Sequence, residues 1–258
     1  MKKALLASII LLLAAVMSSC RKDEVQEESA AAADEADCTD MINGLEELTE
    51  AGPDADIVEE ILSSDLLLSS AVIDGIPEIR QYPELPNGCE SVSLTIVLRS
   101  RGFILSKTAI ANNWLNRHDN MAMGYPGDPS DETGLSVFTT GLKVTAENFL
   151  ESMGSDLKCY DLDGTSFDDL LKFVQAGHPV IVWTTTGMAE PEFTGKYYKY
   201  SGKKIEWYTN EHCVVLYGYD LDEGTVLISD PLDGLVKRDL DKFRTIYDTV
   251  GRIAMVII

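Results

Sequence analysis

The sequence predicts an α+β fold in which N-terminal helices pack on an antiparallel β-sheet. Helical patterns occupy the chain up to about residue 176, and strand-like apolar runs follow from about residue 180. Short turns join those later runs. Helices and strands segregated along a chain in this way are typical of α+β proteins, whereas regular alternation would favour a parallel sheet.

Residues 4–17 form an apolar stretch behind a lysine pair, which is the pattern of a targeting segment. The stretch is short for a membrane span, which needs roughly 20 apolar residues. The run at 16–20, VMSSC, resembles a bacterial lipoprotein box. We therefore expect a signal peptide at 1–19 and a lipid on Cys20 that anchors the protein at the extracytoplasmic face of the cell membrane. The alternative is a general secretory signal with a chance cysteine.

Composition divides the remaining chain into three parts. Residues 20–37 are rich in Glu, Ala and Asp and contain no aromatic residue, which predicts a disordered acidic tether. Residues 38–72 carry short helical patterns, the clearest at 55–68, and predict a small helical preface. Residues 73–258 form the main domain, which we expect to be monomeric.

The helical half of the main domain begins after a turn that contains Pro86 and Gly88. The stretch 124–142 has four glycines and two prolines and predicts a long loop. Ser166 is placed to cap the last helix of this half. The predicted helices are 90–100, 107–115 and 166–176.

The second half of the main domain is predicted to form strands. Apolar and alternating runs are separated by turn signals, which favours hairpins. The predicted strands are 180–184, a hairpin over 197–208 that turns at Ser201-Gly202, a pair at 212–219 and 225–229, and a final strand at 253–258.

Cys89 is a candidate nucleophile because it follows a Pro-Asn-Gly turn and begins a helix. Unpaired N–H groups and the helix dipole at such a position stabilise a thiolate and lower its pKa. The same N–H groups can form part of an oxyanion hole. The alternative is a small buried cysteine that only packs.

His212 and Asp230 are the candidate base and orienting residue. His212 lies on an alternating strand, with neighbouring Cys213 on the opposite face as a core residue. Asp230 ends the strand expected to pair with it, although an Asp-Pro step is also a common turn. A thiol needs a base, and the base needs an orienting partner. The order Cys, His, Asp is the order used by papain-like cysteine enzymes.

A side-chain donor for an oxyanion is expected besides the backbone. Gln81, a few residues before Cys89, is the first candidate, and Asn87 and Asn210 are the alternatives.

The other histidines and cysteines are scattered and predict no metal site or cofactor. We expect His118 at the surface and His178 at a loop-to-strand junction. A disulfide between two of three cysteines is open, without a preferred pair: Cys38, Cys159 and Cys213.

The formal net charge of −22 makes nucleic acid an unsuitable partner, because the chain would repel a phosphate backbone. Solubility is the simple interpretation of this acidity.

Four motifs, QYPELPNGCESVSLTIVL, GHPVIVWTT, NEHCVVLYGYD and ISDPLDG, together resemble the cysteine peptidase-like domains related to the bacteriocin-processing (double-glycine leader) peptidases. The resemblance covers roughly residues 73–258 and implies a papain-like fold. It implies Cys89 as nucleophile, His212 as base and Asp230 as orienting residue. It also implies Gln81 as the oxyanion glutamine, although Gln81 stands further from the cysteine than is usual in the family.

The predicted function is a membrane-anchored extracytoplasmic cysteine peptidase that acts on a peptide or cell-wall peptide. A cell-wall amidase or endopeptidase could use the same residues, and a non-catalytic surface binding module is a third possibility.

Overall fold

A seven-stranded antiparallel sheet forms the centre of the part of the chain that the computed structural model describes, residues 53–200 and 202–258. The strands are β1 (Ser70–Val72), β2 (Cys159–Asp161), β3 (Val180–Thr185), β4 (Phe193–Tyr200), β5 (Lys203–Tyr208), β6 (Glu211–Asp220), β7 (Thr225–Asp230), β8 (Gly234–Asp239) and β9 (Ala254–Ile257). The order in the sheet is β2-β9-β3-β6-β7-β8, and β1 pairs with the C-terminal end of β6. Strands β4 and β5 form a separate hairpin.

Six α-helices accompany these strands in the described residues. They are α1 (Pro53–Ser63), α2 (Cys89–Ser100), α3 (Ala109–Asn113), α4 (Thr139–Ser152), α5 (Phe167–Gln175) and α6 (Leu240–Thr249). Helices precede most of the strands, and every strand pairing is antiparallel. The predicted α+β class is confirmed.

Apolar side chains cover both faces of the sheet and form two buried clusters. One cluster contains α2 and α4, and the other contains α5 and α6. Successive residues of β6 alternate between them: Cys213 belongs to the first and Val214 to the second. This is the period-two alternation of a strand covered on both sides.

Helix α2 is the most deeply buried helix that bears on the site. Every residue from Cys89 to Leu98 is buried, and its polar members are hydrogen-bonded. Thr95 donates to the carbonyl of Ser91 at 2.7 Å, and Ser93 donates to the carbonyl of Cys213 at 3.0 Å. The second contact joins α2 directly to β6 and so fixes the helix against the central strand.

The loop predicted at 124–142 ends earlier in the structure, because α4 begins at Thr139. Gly141, which counted as a loop signal, lies inside this helix. A Cβ atom at Gly141 would lie 2.7 Å from the backbone nitrogen of Gly124. The glycine therefore permits close packing of the helix against the preceding loop, and its conformational freedom is not used to break the helix.

Several other element boundaries also differ from the sequence prediction. The predicted helix 107–115 is shorter, at 109–113, and β4 begins at Phe193 rather than at residue 197. Strands β2 and β8 and helix α6 had no clear signal. Asp239 caps α6 by accepting the backbone N–H of Lys242 at 2.8 Å. Ser166 caps α5 as predicted, by accepting the backbone N–H of Asp169 at 3.2 Å.

Residues 38–72, predicted as a helical preface, contain α1 and β1 within their described part. The predicted signal peptide (1–19), tether (20–37), Cys20 and Cys38 lie outside the described residues. Among residues 53–200 and 202–258, no helix has the length and apolar character needed to cross a membrane.

Candidate active site

A cleft of about 340 Å³ opens where the start of α2 faces the start of β6. The loop before α4 and strand β5 complete its walls. Cys89, His212 and Gln81 all line it. The other lining residues are Tyr82, Pro86, Asn87, Gly134, Leu135, Thr186, Trp207, Thr209, Glu211 and Leu232.

Cys89 is the first residue of α2, one residue earlier than the predicted start of that helix. Gly88 precedes it, and a Cβ atom there would lie 2.7 Å from the Cβ of Leu85. Glycine is therefore needed where the turn closes behind the thiol. Cys89 is only 7% exposed although it lines the cleft. Its Sγ lies 3.3 Å from Oε2 of Glu90.

The electrostatic surroundings of Cys89 differ from the sequence expectation. Burial raises the pKa of the Cys89 thiol well above its ordinary value, and the charges of Glu90 and Glu211 raise it further. The expected lowering by the helix start is thus outweighed in this conformation by desolvation and two neighbouring acids. Both effects favour the thiol over the thiolate.

His212 and Asp230 are joined by a short hydrogen bond. His212 Nε2 lies 2.6 Å from Asp230 Oδ1, and both residues are buried. Asp230 also accepts the backbone N–H of Leu232 at 2.8 Å. Burial alone would raise the pKa of Asp230, but the hydrogen bonds and the His212 interaction hold it below its usual range. An ionised Asp230 fixes the imidazole tautomer and leaves Nδ1 without a hydrogen-bond partner among the described residues.

Gln81 is buried beside this cleft. Its backbone N–H donates to the carbonyl of Pro231 at 2.8 Å, which ties it to the turn after Asp230. Its Nε2 donates to the carbonyl of Pro86 at 2.6 Å. An amide nitrogen carries two hydrogens, so a second one is available. The Oε1 atom is buried without a partner among the described residues.

Asn87 and Asn210, the alternative oxyanion donors, use their side-chain amides elsewhere. Asn87 Nδ2 donates to the carbonyl of Asp131 at 2.7 Å, and Asn210 Nδ2 donates to the carbonyl of Glu190 at 2.8 Å. Gln81 and Asn87 line the cleft, and each bond given uses one of the two amide hydrogens, whereas Asn210 does not line the cleft.

Of the other histidines and cysteines that the structure describes, Cys213 lies beside the Cys89 thiol, whereas His118 and His178 do not line the cleft. His118 is exposed, and His178 Nδ1 lies 2.7 Å from Nη2 of Arg101. Cys159 and Cys213 are buried free thiols, so they form no disulfide with each other. A pairing that involves Cys38 lies outside the described residues.

Two acids beside Cys89, buried Glu90 and partly buried Glu211, were not singled out from the sequence. Glu90 accepts the backbone N–H of Val137 at 2.8 Å, and Glu211 has a buried Oε1 with no hydrogen-bond partner among the described residues. Burial raises the pKa of both carboxyl groups, and for Glu211 the charge of Glu90 raises it further. Their positions in the sequence could have pointed to them, since Glu90 directly follows Cys89 and Glu211 directly precedes His212.

The fold is that of the C39-like peptidases, a group within the papain-like class. A family model described as the Peptidase_C39 like family matches residues 73–255. The chain belongs to that family. The resemblance predicted from the four sequence motifs is confirmed at this level.

Two similar proteins support the same placement. A candidate C39-like peptidase from Bacillus anthracis, known from a crystal structure, is 31% identical, with a TM-score of 0.63 over 73% of this chain and 97% of that one. The uncharacterized protein YvpB of Bacillus subtilis (strain 168) is 30% identical over 185 residues, which cover 68% of this chain and 70% of YvpB.

Proposed function

We propose that this protein is a cysteine peptidase that hydrolyses peptide bonds at the cleft of Cys89, His212 and Asp230. The observation that carries the proposal is the shared cleft of Cys89 and His212, with His212 held by buried Asp230 through Nε2. A nucleophile, a base and an orienting carboxylate are the three roles that thiol hydrolysis requires.

In the proposed first step, His212 Nδ1 takes the proton of the Cys89 thiol and the sulfur attacks the substrate carbonyl carbon. His212 then gives that proton to the amine as the C–N bond breaks, which leaves a thioester on Cys89. In the second step, His212 takes a proton from water as the water oxygen attacks the thioester. The C–S bond breaks, the acid leaves, and the proton returns to sulfur.

The backbone N–H of Cys89 and the second Nε2 hydrogen of Gln81 are the proposed oxyanion donors. As the first residue of α2, Cys89 has no acceptor within the helix for its N–H. Gln81 is held by Pro86 and Pro231, so its amide is positioned before substrate binds. Donors fixed in advance stabilise the tetrahedral intermediate without reorganisation.

The cleft walls favour a peptide with apolar side chains over a glycan. Tyr82, Leu135, Trp207 and Leu232 line the cleft, with Tyr82 and Leu135 largely exposed. Their apolar surfaces would lose water when a peptide side chain binds. A cell-wall amidase or endopeptidase that uses the same residues is the second functional hypothesis.

Lipidation of Cys20 would hold a monomeric catalytic domain at the extracytoplasmic face of the membrane. The lipoprotein-box pattern at residues 16–20 supports this location. The acidic residues at 20–37 would then separate the domain from the lipid surface.

The test of the peptidase proposal is cleavage of a peptide library and of purified wall fragments by the wild-type protein, Cys89→Ala and Cys159→Ala, followed by mass spectrometry. Cys159 is a matched control because it is also a buried free thiol but does not line the cleft. We expect peptide cleavage that Cys89→Ala abolishes and Cys159→Ala retains.

Cleavage of wall fragments without cleavage of the peptide library would support the amidase hypothesis. Binding of peptides with neither cleavage nor covalent labelling of Cys89 would instead favour the binding module.

A further inference from the structure

A group of polar atoms lies at the wall of the cleft and includes the sulfur of the proposed nucleophile. The Cys89 sulfur and one carboxylate oxygen each of Glu90 and Glu211 lie within 4.8 Å of one another. Two other buried hydroxyls are close to this group, those of Ser136 and Tyr208. Peptide hydrolysis as derived above uses neither glutamate.

Several oxygens in this group lack partners. Glu211 Oε1, Ser136 Oγ and Tyr208 Oη are all buried, and none has a hydrogen-bond partner among the described residues. The Ser136 hydroxyl lies beside the carboxyl groups of both Glu90 and Glu211. Because buried polar atoms are nearly always paired, several unpaired oxygens around one point indicate a bound species.

The missing species has to be cationic or to donate hydrogen bonds. Neither Glu90 nor Glu211 forms an ion pair with a Lys, Arg or His of the described residues. Two buried carboxyls and a thiol without a cation are costly when ionised. A divalent cation would neutralise most of that charge.

We propose that Cys89, Glu90 and Glu211 form a binding site for one Zn²⁺ ion. A sulfur and two carboxylate oxygens are a ligand set that zinc accepts, whereas calcium and magnesium prefer oxygen alone. Zinc bonds of about 2.0 to 2.3 Å place tetrahedral ligands roughly 3.3 to 3.6 Å apart, so a small side-chain rotation suffices. Water or the Ser136 hydroxyl would complete the tetrahedron.

Zinc at this site would be an inhibitor. Coordination occupies the sulfur lone pair that attacks the substrate, so the thiol cannot act while the ion is bound. Cys89 and Glu211 line the cleft, which provides an entry path. The inhibition rests on the proposed peptidase function, but the binding does not, and the two can be measured separately.

The experiment titrates the chelator-treated full chain with Zn²⁺ by calorimetry, and with Co²⁺ by absorbance, since a thiolate–cobalt bond gives a charge-transfer band. We expect one Zn²⁺ per chain, no comparable binding of Mg²⁺ or Ca²⁺, and the cobalt band. Glu211→Gln and Cys89→Ser should each weaken binding by at least about tenfold, a loss that even outer-shell changes can cause.

Two further variants identify the ligands. Glu190→Gln removes an exposed carboxylate outside the group and should leave the affinity unchanged. His212→Ala should change the affinity only a few-fold, because His212 is not one of the three ligands. Glu90→Gln is informative only if its thermal melt matches that of the wild type, since Glu90 also accepts the Val137 N–H.

The proposal is overturned if no stoichiometric zinc binds, or if His212→Ala abolishes binding while Glu211→Gln does not. Peptide cleavage without zinc binding would reject the metal site and leave the peptidase standing. Zinc binding without peptide cleavage would support the metal site and reject the peptidase.

Discussion

Asp230 carries a buried negative charge whose ionisation contributes to stability. Its hydrogen bonds to His212 and to the Leu232 N–H hold its pKa below the usual range. A carboxyl with a depressed folded-state pKa stabilises the fold above its unfolded pKa, about 3.9, and that contribution is lost as the pH falls through the folded value. At neutral pH the contribution is fully present.

Asp230→Asn should therefore lower the free energy of unfolding at pH 7 by about 1.5 to 3 kcal/mol, the range for a charged hydrogen bond. The difference from wild type should shrink as the pH falls below about 4. Denaturant unfolding over a pH series measures this, with Asp222→Asn as an exposed control. A difference that is constant across the series would contradict the assigned ionisation.

His212 should control the reactivity of Cys89. Burial and two acids raise the pKa of Cys89, and His212, which lines the same cleft, is the base proposed to accept its proton. His212→Ala should slow alkylation of Cys89 by iodoacetamide by about tenfold for each unit by which the thiol pKa rises. Asp230→Ala should slow it less, because the imidazole remains. Peptide mapping locates and quantifies the alkylation at Cys89. Equal alkylation rates in the wild type and in His212→Ala would show that His212 does not control the reactivity of Cys89.

At the residue scale, the sequence predicts those candidate site residues that a local turn or strand signal marks. Cys89 follows a turn signal and His212 lies on an alternating strand, so the sequence could single out both as candidates. Glu90 and Glu211 were not singled out, because a glutamate is seldom buried without an ion-pair partner. The packing of α2 on β6 encloses their carboxyl groups, and the local sequence does not encode that packing.

At the scale of elements, the loop before α4 shapes one wall of the cleft. Gly127 in this loop has φ +75°, and a Cβ there would lie 1.8 Å from the carbonyl oxygen of Thr133. The two ends of the segment therefore touch through their backbones. Gly134 and Leu135, which line the cleft, follow directly after this contact.

Gly127→Ala should destabilise the protein more than Gly224→Ala does. Both glycines have positive φ, but a Cβ at Gly224 would meet no atom within 4 Å. The control thus carries only the conformational cost, about 1 to 2 kcal/mol, and Gly127→Ala adds a clash of about 1 to 3 kcal/mol. Thermal melts measure both. Equal losses would show that the loop relaxes at no cost.

The elements that the sequence failed to predict have their cause in tertiary contacts. Gly141 suggested a break, yet it lies inside α4 because the Gly124 backbone needs that space. Strand β2 is three residues long and is defined by its pairing with β9 rather than by its own composition. By contrast α5, with its Ser166 cap, carries its start signal locally and was predicted within one residue.

At the scale of the whole molecule, the proposed lipid on Cys20 would place the protein at the membrane. Cys20→Ser should move the protein from the membrane fraction to the soluble extracytoplasmic fraction, because acyl chains supply the membrane affinity. Cys38→Ser is the matched control and should remain with the membrane. Fractionation with immunoblotting measures the shift, and mass spectrometry of the N-terminus checks the lipid. Retention of Cys20→Ser in the membrane would reject the anchor.

The position of His212 has a kinetic consequence. Strand β6 is bonded to β3 and β7 on its two sides and to α2 through the Ser93 hydroxyl, so we expect His212 and Cys89 to lie in the most slowly exchanging part of the domain. The β4–β5 hairpin and the loop at 127–135 have fewer such bonds to the sheet. We therefore expect differences in the rate at which peptides enter the cleft to depend on the β4–β5 hairpin and the loop at 127–135. The rate of the bond-breaking step should stay nearly the same from one peptide to the next.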